Sequence, residues 1–178
     1  MSLLLHSCCA PCSTTALTRL TQELTVFYYN PNIAPRDEFL KRLGEQRRLL
    51  AEMALPRGVG LIAPEYDHAE FLAVARGFED EPEGGERCRR CFALRLRATA
   101  KAARDGGFEA IASTITTGPN KRAADVNAAG LAAAEEFGVE WVAADFKKKD
   151  GYKMSIELSK KYGLYRQSFC GCEFGGAR

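Results

Sequence analysis

The sequence lacks long hydrophobic runs and low-complexity segments. No apolar stretch approaches the roughly 20 residues of a membrane span. The short run Leu3–Leu5 has no basic segment before it, so we expect no signal peptide. With 16 Gly, 7 Pro and 46% hydrophobic residues, the chain is neither collagen-like nor disordered. These absences predict a globular cytoplasmic protein with no membrane partner.

A strong charge bias is also missing. The 25 Lys and Arg residues nearly balance the 23 Asp and Glu residues, giving a formal charge of +2. A protein that depends on nonspecific phosphate contacts would be more basic, so any nucleic acid must be held by a local patch. The candidate patch, whose alternative is a solvated helix face, consists of Arg87, Arg89, Arg90, Arg95 and Arg97.

Alternating strand-like and helix-like segments predict an α/β fold. The length of 178 residues fits a single catalytic domain over residues 1–178. The alternation favours a Rossmann-like three-layer domain with a mostly parallel sheet. Predicted strands are 3–7, 24–29, 58–63, 108–117 and 139–143. Predicted helices are one capped by Ser13 or Thr14 and running to Glu23, then 35–50, 69–76, 86–104, 123–137 and 152–162.

Seven cysteines form three tight groups, which are the most informative feature. The first group follows the first predicted strand, the second lies in the first turns of a predicted helix, and the third lies near the end of the chain. Clustered thiols without an export signal indicate metal or redox chemistry. Ligands of parallel sheets bind beyond the carboxyl ends of the strands, so we expect the first group in the functional crevice. The groups are Cys8, Cys9 and Cys12; Cys88 and Cys91; and Cys170 and Cys172.

Four of these thiols can complete one metal site. Cys88 and Cys91 share a helix face, and Cys8 and Cys9 are the natural partners from across the crevice. Four cysteine ligands suit tetrahedral zinc or a cubane iron–sulfur cluster. The adjacent Cys8–Cys9 pair splays its sulfurs at one bend, which favours the cluster. Cys12 has three open roles: a spare ligand, a ligand of a second metal, or a buried thiol.

The segment Cys170-Gly171-Cys172 indicates a different chemistry. Thiols separated by one residue can close only a small, strained disulfide, and Gly171 gives the backbone the freedom to do so. Strained disulfides tend to be labile or catalytic. The alternative is that both thiols are further metal ligands.

Four segments of the chain recur together in one known family. They are LLLHSCCAPCS, FYYNPNIAPRDEF, ERCRRCFALRL and KKYGLYRQSFCGCEF. With these segments, the chain resembles the epoxyqueuosine reductases of the QueH type from about residue 3 to residue 174. The resemblance implies reduction of epoxyqueuosine at the wobble position of a tRNA to queuosine, with loss of the epoxide oxygen as water. It also implies a fold similar to the PP-loop, or nucleotide alpha-hydrolase-like, superfamily.

The resemblance implies roles for individual cysteines. Cys8, Cys9, Cys88 and Cys91 would hold a [4Fe-4S] cluster, and the Cys170–Cys172 pair would be redox-active. An additional mononuclear iron is implied, with Cys12 as a possible ligand, and no cobalamin is needed. The partners would be the tRNA and an electron donor that the sequence does not identify. The loop of residues 117–121 departs from the Ser-Pro-Tyr-Gln type of segment that the family usually has there.

Polar residues of the matching segments are predicted to contact the substrate. A base in a single-stranded anticodon loop is recognised by stacking and by hydrogen bonds. Tyr28, Tyr29, Tyr165 and Phe169 are candidates for stacking, with a place in the core as the alternative. The predicted polar contacts are Asn30, Asn32, Arg166 and Gln167.

Three other functions fit parts of the pattern. A thiol–disulfide oxidoreductase would carry its CxxC after a strand near the start of the chain. A zinc-stabilised binding module would use the thiols only for structure. An ATP-pyrophosphatase would need a Gly-rich phosphate loop at the turn where CCAPCS stands.

Overall fold

A computed structural model describes residues 1–56 and 58–175. The predicted domain also spans residues 57 and 176–178, which lie outside the described residues. Within the described residues, five strands alternate with six helices, followed by a short 3₁₀ turn, Glu173–Gly175. The strands are β1 (Ser2–His6), β2 (Glu23–Phe27), β3 (Val59–Ile62), β4 (Ala110–Ser113) and β5 (Glu140–Trp141). The helices are α1 (Ala10–Arg19), α2 (Arg36–Glu52), α3 (His68–Ala75), α4 (Glu86–Asp105), α5 (Ala123–Phe137) and α6 (Gly151–Lys161).

The strands form one parallel sheet in the order β3-β2-β1-β4-β5. The predicted α/β class is confirmed, and the sheet is parallel at every pairing. From β1 the chain proceeds outward to β2 and β3, and then returns to β4 on the other side of β1. The strand order therefore reverses between β1 and β4, which is where ligands bind in open α/β sheets.

Both faces of the sheet are covered, as the apolar β1 sequence requires. Leu3, Leu4 and Leu5 are all fully buried. Leu3 and Leu5 pack on the face covered by α1, α2 and α6, whereas Leu4 packs on the face covered by α4 and α5. Successive side chains of a strand point to opposite faces, so an uninterrupted leucine run is the pattern of a central strand.

The start of α1 differs from the prediction and shifts the first cysteine group. The helix begins at Ala10 with Cys9 as its N-cap, not after Ser13 or Thr14, and it ends at Arg19. Pro11 lies in the first turn, where its fixed φ and missing N–H suit a helix start. The first cysteine group therefore lies at a strand end and a helix N-terminus together.

The fourth strand is shorter than predicted. β4 ends at Ser113, and the next four residues, Thr114–Thr117, form a 3₁₀ turn. The Ser113 hydroxyl accepts a hydrogen bond from the backbone N–H of Ile115 at 3.2 Å and so caps this turn. A serine side chain that accepts a hydrogen bond from a nearby backbone N–H competes with the hydrogen bonds between strands, so the strand ends here.

Hydropathy along the helices gives no sign of a bilayer-spanning element. Among the described residues, no helix is both long enough and apolar enough to cross a membrane.

Gly130 of α5 marks a close approach of helix and sheet and yields a stability prediction. A Cβ at this position would lie 2.5 Å from ring atoms of Trp141, whose indole N–H is held by Asn127 Oδ1 at 3.0 Å. We predict that Gly130→Ala lowers the free energy of unfolding by about 1–3 kcal/mol, the range for overpacking, although alanine is the better helix former.

Gly44 of α2 is the matched control for this variant. It is exposed, and an added Cβ there meets nothing within 4 Å. Gly44→Ala should therefore raise the free energy of unfolding by about 0.5–1 kcal/mol. Urea unfolding of both variants measures these changes, and equal stabilisation by the two substitutions would contradict the tight contact at Trp141.

Candidate functional site

The first cysteine group lies where β1 and β4 end side by side. The backbone N–H of Cys8 donates to Thr114 Oγ1 at 3.4 Å, across the point where the strand order reverses. The sulfur atoms of Cys8, Cys9 and Cys12 all lie within 4.8 Å of one another. This turn therefore gathers three thiols in a group that could hold a metal ion.

The three thiols of this group differ in pKa. Hydrogen bonds from Cys12 and Cys9, together with the charge of Arg95, hold the pKa of Cys8 well below its usual range despite burial. The hydrogen bond to Cys8 raises the pKa of Cys12. A hydrogen bond from Cys12 lowers the pKa of Cys9, but hydrogen bonding to Cys8 and burial raise it to about 12. Of the three, Cys8 therefore ionises most readily to the thiolate, the form that binds metals.

The second group lies at the N-terminus of α4. Cys88 Sγ accepts a hydrogen bond from the backbone N–H of Gly84 at 3.2 Å. Cys91 Sγ lies 3.9 Å from Arg95 Nη1, one turn further along the helix. Burial raises the pKa of Cys91, but the helix N-terminus and Arg95 both favour negative charge at these sulfurs.

The third group lies in the C-terminal segment that follows α6. Cys170 and Cys172 pack with Cys91 and with Phe71 of α3, and each of the seven cysteines is a free thiol. A hydrogen bond from Cys172 and then the charge of Lys121 lower the pKa of Cys170 to about 5. The hydrogen bond to Cys170 and burial raise the pKa of Cys172. The pair is thus one thiolate and one thiol.

All three cysteine groups reach the same cavity, which has a volume of about 340 Å³. Its lining includes six of the seven cysteines: Cys8, Cys12, Cys88, Cys91, Cys170 and Cys172. Cys9 is fully buried at the turn beside Cys8. The structure therefore brings together the three groups that the sequence predicts for one crevice.

Positive charge surrounds these thiols. Among the cavity-lining cations, Lys121 pairs with Glu83 at 2.7 Å and Arg42 pairs with Glu38 at 2.6 Å. The cations are Arg42, Arg87, Arg95, Lys121 and Arg166. Neutral thiols would leave a surplus of positive charge in this space, whereas thiolates offset it.

Two of these guanidinium groups are buried with an unused donor. The side chains of Arg87 and Arg95 are 2% and 5% exposed. Arg87 Nη1 donates to the carbonyls of Phe78 and Glu79, at 2.7 Å for Glu79, and Arg95 Nη2 donates to Asn30 Oδ1 at 2.7 Å. The Nε atoms of both have no hydrogen-bond partner in residues 1–56 and 58–175. A buried donor without a partner is costly, and carbonyl and amide oxygens leave the charge of both guanidinium groups uncompensated, so the cavity fits a negatively charged metal–thiolate group.

His6 holds the ends of three strands together. Its Nε2 lies 3.1 Å from the carbonyl of Tyr29, and its Nδ1 lies 3.0 Å from Ser113 Oγ. A carbonyl only accepts, so Nε2 carries the proton and Nδ1 accepts from the serine. Burial and the charge of Arg95 lower the pKa of His6 to about 3. His6 is thus a neutral structural histidine.

The four predicted substrate contacts occupy different environments. Asn32, Arg166 and Gln167 line the cavity. Asn32 Oδ1 and Gln167 Oε1 are buried and lack a partner within the described part of the chain, so each can accept a hydrogen bond. Arg166 donates to Ser159 Oγ at 3.0 Å.

Asn30 is engaged at both ends of its amide. It donates to the carbonyl of Ser7 at 2.8 Å and accepts from Arg95. In this structure Asn30 therefore positions Arg95, and its predicted substrate contact would require one of these bonds to open.

The predicted arginine patch divides between the interior and the surface, so the five arginines do not form one continuous surface. Arg87 and Arg95 point inward, as described above. Arg89 and Arg90 are exposed and pair with Glu86 at 3.0 and 3.3 Å. Arg97 is exposed and pairs with Glu136 of α5 at 2.5 Å.

The aromatic candidates for stacking also divide. Phe169 lines the cavity and lies 5.1 Å from the guanidinium of Arg42. Tyr28 is in the core, where its hydroxyl donates to the carbonyl of Phe39 at 3.0 Å. The hydroxyls of Tyr29 and Tyr165 bond to the carboxylates of Glu70 and Glu38.

For two cations of the cavity, Arg42 and Lys121, no role in the site was predicted from the sequence. Lys121 lies in the loop after the 3₁₀ turn that follows β4. This position could have indicated its role, because ligands bind at the loops that follow the strands on either side of the order reversal. Arg42 lies on a long amphipathic helix, where no local pattern separates it from the other basic residues of that helix.

Comparison with known proteins places these features in one family. The family model described as "Epoxyqueuosine reductase QueH" matches residues 3–178. Relatives of the same name come from Streptococcus pyogenes serotype M1, Staphylococcus epidermidis and Staphylococcus aureus. Their sequences are 40%, 40% and 39% identical over 177, 182 and 178 residues.

These alignments span almost the whole chain and most of each relative. They cover 97%, 99% and 97% of this chain, and 69%, 76% and 74% of the respective relatives. The chain therefore belongs to the QueH family of epoxyqueuosine reductases.

Proposed function

We propose that this protein reduces epoxyqueuosine to queuosine at the wobble position of a tRNA, with an iron–sulfur cluster and the Cys170–Cys172 pair. The observation that carries the proposal is a cationic cavity lined by six cysteines, at the reversal point of the sheet. Family membership names the substrate of the relatives, and a thiol-lined cavity supplies the reducing chemistry that such a substrate needs.

The proposed cluster ligands are Cys8 and Cys9 from the β1–α1 turn and Cys88 and Cys91 from α4. Thiolates are the ligands of [4Fe-4S] clusters. Cys8, Cys88 and Cys91 line the same cavity, and the sulfur of Cys9 lies within 4.8 Å of that of Cys8. When bound, the cluster would supply electrons one at a time. The unused Nε donor of Arg95 would offset its negative charge.

Cys12 is the proposed ligand of an additional mononuclear iron. Its sulfur lies within 4.8 Å of the sulfurs of Cys8 and Cys9, and its side chain lines the cavity. A metal at this place would lie beside the cluster ligands. The proposed metal ligands are all cysteine thiolates, and the proposal includes no cobalamin.

The Cys170–Cys172 pair would supply the two reducing equivalents of each turnover. The reaction breaks both C–O bonds of the epoxide, forms a C=C bond and releases the oxygen as water, which consumes two electrons and two protons. Oxidation of a dithiol to a disulfide releases two electrons and two protons. One turnover therefore balances, and an external electron donor must then reduce the disulfide.

Lys121 favours the state from which this oxidation begins. Its ammonium lies close enough to Cys170 to contribute to the lowered pKa of that thiol. Thiolate is the reactive form of cysteine, so Cys170 would be the first of the two sulfurs to react, and Cys172 would lose its proton when the S–S bond forms.

Asn32, Arg166 and Gln167 are the proposed substrate contacts. Arginine and lysine side chains supply the cavity with hydrogen-bond donors, whereas Asn32 Oδ1 and Gln167 Oε1 are unpaired acceptors. These two oxygens can accept hydrogen bonds from the N–H and O–H groups of a modified base. The anticodon loop would present that base unstacked, with Phe169 available to stack on it. A tRNA substrate implies a cytoplasmic protein.

Metal binding provides a test that separates Cys9 from Cys12, two neighbours in the same turn. Reconstituted under anaerobic conditions, the protein should be brown with about four cluster irons per chain. Cys9→Ser and Cys88→Ser should lose the visible absorption, because each removes a cluster ligand. Cys12→Ser is the matched control and should keep it.

Iron and sulfide analysis with visible spectroscopy measures these outcomes. Loss of the chromophore in Cys12→Ser with its retention in Cys9→Ser would transfer the ligand role to Cys12. A colourless wild-type protein that folds with zinc would instead support the zinc module.

The redox role of the third group predicts a separation of cluster binding from turnover. The double variant Cys170→Ser/Cys172→Ser should retain the cluster spectrum but lose multiple-turnover reduction of epoxyqueuosine tRNA, because serine cannot form a disulfide. Nucleoside analysis of the digested tRNA measures the product. Retained turnover would eliminate the dithiol role, and loss of the spectrum would make these cysteines cluster ligands.

A further inference from the structure

Helix α2 holds the C-terminal segment through side chains that bind its backbone. At the start of the segment, Arg48 donates to the carbonyls of Tyr162 and Gly163 at 2.8 and 2.9 Å. Glu45 accepts from the backbone N–H of Tyr165 at 2.7 Å. The segment forms no regular secondary structure there, so these side chains provide partners for backbone groups that a strand or helix would satisfy internally.

Arg42 makes the corresponding contacts next to the cysteine pair. Its Nη1 donates to the carbonyl of Cys170 at 3.0 Å, and its Nη2 donates to the carbonyl of Phe169 at 3.2 Å. Its Nε donates to Glu38 at 2.6 Å, one turn earlier in α2. Arg42 is 2% exposed. A rigid guanidinium fork held at three nitrogens fixes the two consecutive carbonyls in one position.

Gly171 fits closely against the same guanidinium. Its φ is +106°, and a Cβ there would lie 2.8 Å from Ile33 Cγ1 and 3.2 Å from Arg42 Nη1. The Gly171 carbonyl accepts a hydrogen bond from the backbone N–H of Ala34 at 2.9 Å. The backbone between the two thiols is therefore held on one side by Arg42 and on the other by the loop before α2.

We propose that Arg42 is the positioning residue of the Cys170–Cys172 pair. By fixing the carbonyls of Phe169 and Cys170, it keeps both thiols in the cavity against Cys91 of α4. Its nitrogens bind carbonyl oxygens and Glu38, so it acts on the thiols through the backbone. This inference rests on the proposed redox role of the pair. Positioning matters for that role, because a pair that moves freely would seldom meet a reacting group in the cavity.

Arg48 supplies a matched control for this proposal. It lies on the same helix, donates to two consecutive carbonyls of the same segment, and pairs with acids of its own helix at 2.8 and 3.1 Å. It contacts the start of the segment, not the cysteine pair. A general loosening of the segment would follow from either substitution, whereas loss of thiol positioning should follow only from Arg42.

The test measures how well the fold protects Cys170 from alkylation. Trypsin cleaves after Arg166, so residues 167–178 form one peptide whose cysteines are Cys170 and Cys172, and fragment ions distinguish the two. The reduced, anaerobically purified full chain is treated with iodoacetamide, and labelling of this peptide is followed by mass spectrometry. Iron content and thermal stability are measured in parallel.

The expected result is a difference between the two arginines. Arg42→Gln should accelerate labelling of Cys170 by about tenfold, as expected when the charge-assisted hydrogen bonds to the two carbonyls are lost. Arg42→Lys should fall between this variant and the wild type, because lysine keeps the charge but not the fork. Arg48→Gln should label at close to the wild-type rate. Iron content should be unchanged in all three variants.

Unchanged labelling in Arg42→Gln, or equal acceleration in Arg48→Gln, would overturn the proposal. If Arg42→Gln fails to fold, Arg42→Lys against Arg48→Lys gives the same comparison. Failure of the proposed function has a different signature, which is retained turnover in the Cys170→Ser/Cys172→Ser variant. The labelling rates do not depend on turnover, so the two failures are distinguishable.

Discussion

The arrangement of this site depends on one buried charge, the guanidinium of Arg95. It is 5% exposed, binds Asn30 after β2 and lies beside Cys91 of α4. Its charge adds to the hydrogen bonds from Cys12 and Cys9 that lower the pKa of Cys8 after β1, and it adds to the burial that lowers the pKa of His6. A guanidinium cannot lose its proton in a protein, so its surroundings must supply negative charge. The thiols of the cavity are the groups placed to do so, which makes thiolate formation and burial of Arg95 parts of one electrostatic balance.

Much of the fold could be predicted from the sequence because each element carries a strong local pattern. The leucine run of β1 is apolar at every position, as a strand buried on both faces requires, and the alanine-rich segment 123–137 is observed as α5 with the same bounds. The errors arose where one residue changed the local geometry. Pro11 in the first turn moved the start of α1 upstream, and the hydroxyl of Ser113 turned the expected end of β4 into a 3₁₀ turn.

The site was predictable in its thiols and much less so in its cations. Three cysteine groups flanking predicted elements led directly to one crevice, and the structure brings them to one cavity. The arginines were misplaced because a cluster of like charge was treated as one surface. The spacing along the helix could have corrected this. Residues 87, 91 and 95 recur every four positions, so Arg87 and Arg95 share the inward face with Cys91. Arg42 could not be found this way, because its role depends on a segment about 130 residues further along the chain.

The three cysteine groups differ in what holds them, and this difference suits the separate chemistry that we propose for them. The first two lie at the ends of β1 and α4, whose positions are fixed by the packing of the core. A metal site benefits from such rigidity, since ligands on packed elements need no reordering to bind. The third group lies on an irregular segment, held by side chains of α2 and by the Ala34 backbone. A pair of thiols that closes and reopens a disulfide must change its local geometry at each cycle. Contacts to carbonyl oxygens allow this, because they hold the segment through its backbone and not through the sulfurs of Cys170 and Cys172.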